Sequence, residues 1–369
     1  MPVHEQIAAA FEAEHPDVKV DIQVVPWGNY WDKLQTAVAG GQAYDVFWMN
    51  GPNFPVYASN GVIMNLQDRV TSDALDTTVY PESLVNLYSL DGDLYGLPKD
   101  FDTIALFYNK DMFDAAGVDY PSADWTWDDL KAAAQTLTTD GNWGFASTTA
   151  DQSGYWNFIY ENGGQVLNPA GTAVEIDQPA ACDAIKYLYS FVEDGLSPDG
   201  ATMTSVDPWT QLFPGGRVGM VVGGSWLART YADAEPTIDV APLPKETEQA
   251  TIIHGLANVV WSKTEHPDEA WAFAKYLGSD AAATLLAQSG TVIPAYNGFQ
   301  DAWVESIPDM NLQVFMDATA YAVPYPTTTK GSEWQTKLVE VLGEVWNGNT
   351  PIDNACADAA TAANAVLGQ

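Results

Sequence analysis

Along the first hundred residues the hydrophobic pattern switches repeatedly between two periods. "VKVDIQV" (18–24) alternates apolar and polar residues at period two, which predicts a half-buried strand. "YWDKLQTAVAGG" (30–41) instead places Tyr30, Leu34, Ala37 and Val38 on one helical face and stops at glycines. "YDVFWM" (44–49) predicts a second strand, and "FPVYASNG" (54–61) a short helix ended by Gly61. Asp91-Gly92 is a hairpin-turn signal, and beyond it "FDTIALFYNK" (101–110) reads as another apolar strand. The chain opens on an amphipathic helix, with Ile7 and Phe11 one turn apart.

The middle of the chain keeps this style. "WTWDDLKAAAQTL" has Thr126 as its N-cap and Asp129 three residues on, a variant of the capping box. "DQPAACDAIKYLYSFVEDG" has Asp177 before Pro179 at its start, Gly195 at its end, and Ile185, Leu188 and Val192 as its buried stripe. Strands follow at "RVGMVV" (217–222), "TIDVAPLP" (237–244) and "HGLANVVWS" (254–262), and the chain beyond Asn311 reads as helices. Strands alternating with helices predict an α/β fold with a mixed sheet. At 369 residues the chain exceeds what one core usually supports, so two domains are expected. It contains no internal repeat and no low-complexity linker, so it is expected to cross between the domains more than once.

Charge narrows the partners. With 49 acidic and 14 basic residues the net charge is −35, which opposes binding to nucleic acid or to an anionic membrane. The acids are scattered and read as a solubility feature. No apolar run approaches the roughly 18 residues that span a bilayer. Cys182 and Cys356 lack metal spacing, and the sequence leaves open whether they are bonded or two isolated buried thiols.

Catalytic signatures are weak. His4, His15, His254 and His266 are far apart, and the chain has no HExxH, GxSxG, Walker loop or GxGxxG after a strand. No carboxylate pair stands in a recognisable strand-end motif of the kind a glycosidase needs. The aromatic inventory is stronger: 14 Trp and 17 Tyr, with Trp27, Trp48, Trp156 and Trp226 near strand ends. Loops at strand ends are where α/β proteins place ligand contacts. A flat indole suits the C–H face of a pyranose, while Asn and Asp can hydrogen-bond its hydroxyls. A single Trp is more often core packing; several with polar neighbours favour a binding face.

Several stretches, taken in order, resemble the family 1 extracellular solute-binding proteins, the carbohydrate-binding components of ABC importers. They are "AFEAEHPDVKV" (10–20), "YDVFWMN" (44–50), "GDLYGLPKDFDTIALFYNKDMFDAAGV" (92–118), "WTWDDLKAAAQTL" (125–137), "FPGGRVGMVVGGSW" (213–226), "VAPLP" (240–244), "SKTEHPDEAWAFAKYLGS" (262–279) and "WNGNTPIDNACADAATAANAVL" (346–367). The resemblance implies a two-lobe, type II periplasmic-binding-protein-like α/β fold, with ligand held in a cleft that closes about a hinge. By analogy residues 1–109 plus 261–310 form the N-lobe, and 110–260 plus 311–369 the C-lobe.

Carried over by position, Trp226 matches the family's stacking Trp and Trp334 a further aromatic platform from the tail helices. Trp48, Asn50 and Asn53 match the N-lobe loop that hydrogen-bonds sugar. Asp102 takes the place of an acidic sugar ligand, Trp156 lies on a helix whose start contacts ligand, with a core role as its alternative, and Lys99 and Asp100 adjoin the cleft, with a solvated turn as theirs. His254 completes the set, with a satisfied strand-edge group as its alternative. In the family's maltose-binding member the strand-end loop is charged, whereas here it carries Asn50 and Asn53, and Ser153 falls where that protein stacks a tyrosine. Maltose is therefore not inherited as the ligand. Family members begin with a leader, often ending in a lipid-modified cysteine, and then a first strand; this chain enters at the following helix, so an incompletely formed N-lobe is expected. The resulting expectation is a monomeric, non-catalytic receptor outside the membrane, either lipid-anchored or periplasmic. It would need no cofactor or metal, capture a neutral oligosaccharide and deliver it to an ABC permease. The alternatives are a secreted glycoside hydrolase or the same scaffold binding a non-sugar solute.

Overall fold

The structure, a computed structural model, describes residues 3–368. The chain forms two compact units, Met1–Phe101 with Gly255–Ser306, and Asp102–His254 with Ile307–Gln369. It passes from one to the other after residues 101, 254 and 306, earlier in each case than the boundaries 109, 260 and 310 expected by analogy. Strand pairing sets these positions. The strand Ile104–Asn109 is hydrogen-bonded on both sides by strands of the second unit, with Leu106 opposite Val222 and Ala241. The strand Leu256–Val260 lies between two strands of the first.

The first unit is built on an antiparallel three-stranded sheet, in the order Val46–Asn50, Leu256–Val260, Gly96–Pro98. Trp48 faces Asn258, and Asn50 faces Leu256. Phe47, Met49, Ala257 and Val259 bury one side of the sheet with Leu34 of the helix Tyr30–Ala39. Val260 and Leu97 bury the other with Ala270, Trp271 and Ala274 of the helix Pro267–Leu277. Side chains of successive residues point to opposite faces of a strand, so one strand supplies both layers. The helix Val3–Glu14 seats Val3 and Ile7 against Ala282 and Leu286. Asp91 and Gly92 both take positive φ, 55° and 91°, which is the turn the Asp-Gly signal calls for between Ser89–Leu90 and Asp93–Leu94.

The expected strand at 18–24 does not form. The segment joins no ladder among the described residues, and Val24 is 87% exposed. Alternation makes a strand only where a neighbour supplies the other half of the hydrogen bonds. Here the Val20 N–H donates to the Glu12 carboxylate at 2.9 Å instead.

The second unit has a four-stranded sheet ordered Trp143–Ala146, Val218–Gly224, Ile104–Asn109, Ile238–Ala241. The outer pair Trp143–Ala146 and Val218–Gly224 is parallel and the rest antiparallel, a mixed sheet as expected. Strands 104–109 and 218–224 are buried along their whole length, as their unbroken apolar runs require. The helix Trp127–Leu137 starts with both halves of the Thr126–Asp129 capping box. The helices Glu333–Trp346 and Ala355–Leu367 pack together on the same core as Pro179–Glu193. Cys182 and Cys356 form a disulfide there, with Cα atoms 5.7 Å apart.

Candidate functional site

Five of the ten candidate residues lie in the first unit. The strand Val46–Asn50 carries Trp48 and Asn50 out to its end, and Asn53 folds back on Asn50 in the turn that follows. There the Asn50 side-chain oxygen accepts from both the Asn53 backbone N–H, at 3.2 Å, and its amide, at 2.8 Å. Lys99 and Asp100 do not form the solvated turn that was the alternative for them: they are buried and ion-paired with each other. The Asp100 carboxylate also accepts from the Leu256 N–H at 2.9 Å. The Lys99 ammonium lies 4.4 Å from the centre of the Trp48 ring, and the His4 ring 5.2 Å from it. A cation over an aromatic face gains from the ring's negative centre. Burial and then the Lys99 charge depress the His4 imidazole to about 4, against a smaller opposite pull from Asp100. His4 is thus neutral at pH 7.

Tyr30 locks Trp48 in place. Its hydroxyl donates to the Trp48 carbonyl and accepts from the Trp48 N–H, both at 2.9 Å. Sequence reasoning missed Tyr30 and His4, because these contacts join residues 18 and 44 positions away from Trp48.

The other five candidates lie in the second unit. The Asp102 N–H donates to the His254 carbonyl at 2.8 Å and the His254 N–H returns the bond at 3.2 Å. The Asp102 carboxylate accepts from the Gln152 amide, and Asp151 next to it accepts from the Tyr325 hydroxyl. Tyr325 packs 4.8 Å from the His254 ring and 5.0 Å from Trp156. Burial, followed by the Asp151 charge, holds the Tyr325 phenol well above its ordinary range, so it stays a neutral donor. Gln152, Asp151 and Tyr325 were also missed in the sequence. Asp151 and Gln152 lie in the turn that leads into the helix Trp156–Glu161, which kinks at Gly154 with φ −155° and ψ −126°.

Trp226 sits in the turn that ends the strand Val218–Gly224 and is half-buried. Its indole lies back over Gly224: a Cβ there would fall 1.9 Å from the ring. Gly224 pairs with Ile104, and the Ser225 N–H donates to the Thr103 carbonyl at 3.3 Å. That register brings Trp226 and Asp102 to the same end of the sheet.

Trp334 is placed differently from the sequence expectation, and Trp156 takes its core alternative. Both are fully buried and stack on each other at 5.6 Å and 5°, so neither indole offers a surface to a ligand. They belong to the core beneath Tyr325, where large flat side chains fill space between helices. A shallow groove of about 560 Å³ along the helix Tyr30–Ala39, lined by Asn29, Asp32, Lys33 and Tyr44 among others, contains none of the ten candidates. No group of three or more His, Cys, Asp or Glu able to hold a metal occurs among the described residues.

In each unit an aromatic side chain stands beside oriented polar groups, an arrangement of the kind that holds hydroxyl-rich ligands. The sequence model described as "Bacterial extracellular solute-binding protein" matches residues 3–284. The maltodextrin-binding protein of Bacillus subtilis is 25% identical over 361 residues, covering 93% of this chain and 79% of that one. An ABC substrate-binding protein from Listeria monocytogenes, solved in complex with cycloalternan, superposes with a TM-score of 0.94 at 28% identity, over 99% of this chain and 96% of that one. The GacH receptor of Streptomyces glaucescens, solved unliganded and with acarbose, gives a TM-score of 0.87 at 25% identity, over 100% and 95%.

Proposed function

We propose a function from one premise: the chain belongs to the bacterial extracellular solute-binding proteins. It is the substrate-binding component of an ABC sugar importer and captures an oligosaccharide. One observation carries the assignment of the site: the Asp102 carboxylate, oriented by Gln152, stands at the same sheet end as the half-buried Trp226 indole. A carboxylate that accepts hydroxyl hydrogens next to an indole that accepts a C–H face makes a pyranose subsite. In the first unit, considered by itself, Asn50 and Asn53 at the end of the strand Val46–Asn50 are the candidates for sugar contacts, while Lys99 and Asp100 are buried against each other.

A neutral glycan fits this reading best. The net charge of −35 opposes an anionic one, and the Lys99 ammonium is already matched by Asp100. In our reading the receptor is a monomer and non-catalytic. It acts outside the membrane, by lipid anchor or in a periplasm, and hands its ligand to permease subunits. The alternatives, a glycoside hydrolase and a non-sugar receptor, are not favoured by any group placed here.

A thermal-shift screen over maltodextrins, cycloalternan, acarbose, and galactan and arabinan oligosaccharides tests it. At least one glycan should raise the melting temperature, and Asp102→Asn and Trp226→Ala should each abolish most of that rise. A flat response across the panel, or variants that respond like the wild type, would overturn the assignment.

A further inference from the structure

In the second unit, residues 251–254 form a rail along which the parts around Asp102 are set, one part per residue. The Thr251 hydroxyl accepts from the Ile104 N–H and donates to the Ile104 carbonyl, both at 2.9 Å. The Ile252 N–H donates to the Asn157 side-chain oxygen at 2.9 Å. The Ile253 carbonyl accepts from the Tyr325 N–H at 2.9 Å, where the strand Thr251–Ile253 runs parallel to Ala322–Pro324. His254 exchanges both backbone bonds with Asp102. Asp102, Asn157 and Tyr325, far apart in sequence, therefore stand at fixed spacings.

Two of these side chains close on the turn Asp151–Tyr155. Asn157 is fully buried and donates to the Gln152 carbonyl at 2.6 Å and to the Gly154 carbonyl at 3.1 Å. The Tyr325 hydroxyl donates to one oxygen of the Asp151 carboxylate, and the other oxygen accepts from the Gln152 N–H at 2.6 Å. The turn is closely seated: a Cβ on Gly154 would fall 2.9 Å from the Thr148 hydroxyl and 3.2 Å from its carbonyl. Gln152 is thus tied at its N–H, through Asp151 and Tyr325, and at its carbonyl, through Asn157. From between these ties its amide donates to the Asp102 carboxylate. A glutamine side chain turns about several bonds, so its amide stays on one acceptor only where the backbone beneath it is held.

We propose that Tyr325 is a positioning residue for sugar capture. Its hydroxyl, acting with Asn157, fixes the turn Asp151–Tyr155 in the conformation that lays the Gln152 amide on Asp102, and so sets the orientation in which that carboxylate meets a hydroxyl. This rests on the reading of Asp102 as a sugar-binding group. Tyr325 need not touch the ligand. Its ring has a separate role, packing 5.0 Å from Trp156 and 4.8 Å from His254.

Tyr325→Phe separates the two roles, because it keeps the ring and removes the hydroxyl. It is tested beside Gln152→Ala and the double variant. In protein carrying isotope-labelled glutamine, the Gln152 side-chain amide signal is identified by its loss in Gln152→Ala. Tyr325→Phe should move that signal toward the position of a solvent-exposed glutamine, with no ligand present. In calorimetric titration with a glycan that binds the wild type, Tyr325→Phe should weaken binding by about 2- to 10-fold, the range of one hydrogen bond. The double variant should bind no more weakly than Gln152→Ala alone, since both changes act through the same contact. An unmoved amide signal, or a Tyr325→Phe loss that persists in full in the Gln152→Ala background, would overturn the proposal while leaving sugar binding intact. If Asp102→Asn binds glycans like the wild type, the reading of Asp102 falls instead, and this inference with it.

Discussion

The disulfide between Cys182 and Cys356 should be the largest single covalent contribution to the stability of the second unit. It links the first turn of the helix Pro179–Glu193 to the start of the helix Ala355–Leu367, residues 174 positions apart. Closing a loop of that length removes entropy from the unfolded chain worth about 5 kcal/mol on the chain-entropy relation, and removal of native disulfides costs about 2–5 kcal/mol. For a unit of this size each kcal/mol moves the melting temperature by roughly 2–4 °C, so the double variant Cys182→Ala/Cys356→Ala should melt roughly 4–20 °C lower. Circular dichroism melts of the variant, and of the wild type with and without reductant, measure this directly. Among the described residues the one polar contact of either cysteine side chain is that of the Cys356 sulfur with the Cys182 carbonyl, so glycan affinity at 20 °C should be unchanged. A variant that melts within about 2 °C of the wild type would refute the reasoning, because the tail helices would then be held by packing alone.

Three further outcomes follow from the structure. Burial raises the Glu161 carboxyl well above the ordinary carboxylate range, the Trp127 indole N–H at 2.7 Å opposing and the Glu246 charge reinforcing the shift. The folded state therefore keeps a proton that the unfolded chain loses above about pH 4.5, and stability falls as pH rises, by up to about 1.4 kcal/mol per pH unit. Glu161→Gln should remove that fall, so its melting temperature should gain on the wild type steadily from pH 5 to pH 8; parallel profiles would exclude a protonated Glu161. His4 behaves oppositely: with its imidazole lowered from 6.5 to about 4, its contribution is present above pH 6.5 and lost toward pH 4, about 3 kcal/mol in all. His4→Gln should flatten the acid limb of the stability profile, and an unchanged limb would refute this. Gly224→Ala should push the Trp226 indole off its seat, since the new Cβ would lie 1.9 Å from the ring. Because the obstruction is the end of a side chain, glycan affinity should drop about as far as in Trp226→Ala with little change in melting temperature; wild-type affinity would show that the indole's position does not matter.

Local chemistry explains which parts of the fold were legible in the sequence. The Asp91-Gly92 turn, the Thr126–Asp129 cap and the apolar runs at 104–109 and 218–224 each specify their structure within a few residues, and each formed as expected. The segment 18–24 has the same local signal but pairs with nothing, because a strand needs a partner that its own residues do not name. Long-range contacts were the blind spot throughout. The disulfide, the Tyr30 bridge to Trp48 and the Gln152 bond to Asp102 join residues 18 to 174 positions apart. Trp156 and Trp334 show the limit of composition: their indole chemistry suits a sugar face, but stacking on one another inside the core uses it up. Trp226 instead lies two residues beyond Gly224, in the turn that ends a strand, and its ring, folded back over that glycine, stays half-exposed.

The central claim, that this chain captures a neutral oligosaccharide without changing it, is tested most directly by isothermal titration calorimetry over the glycan panel, with reducing ends assayed in the same samples after overnight incubation. The account predicts saturable binding of at least one oligosaccharide at one site per chain, lost in Asp102→Asn, with no new reducing ends. New reducing ends from the wild-type protein, or no heat of binding from any glycan, would contradict it.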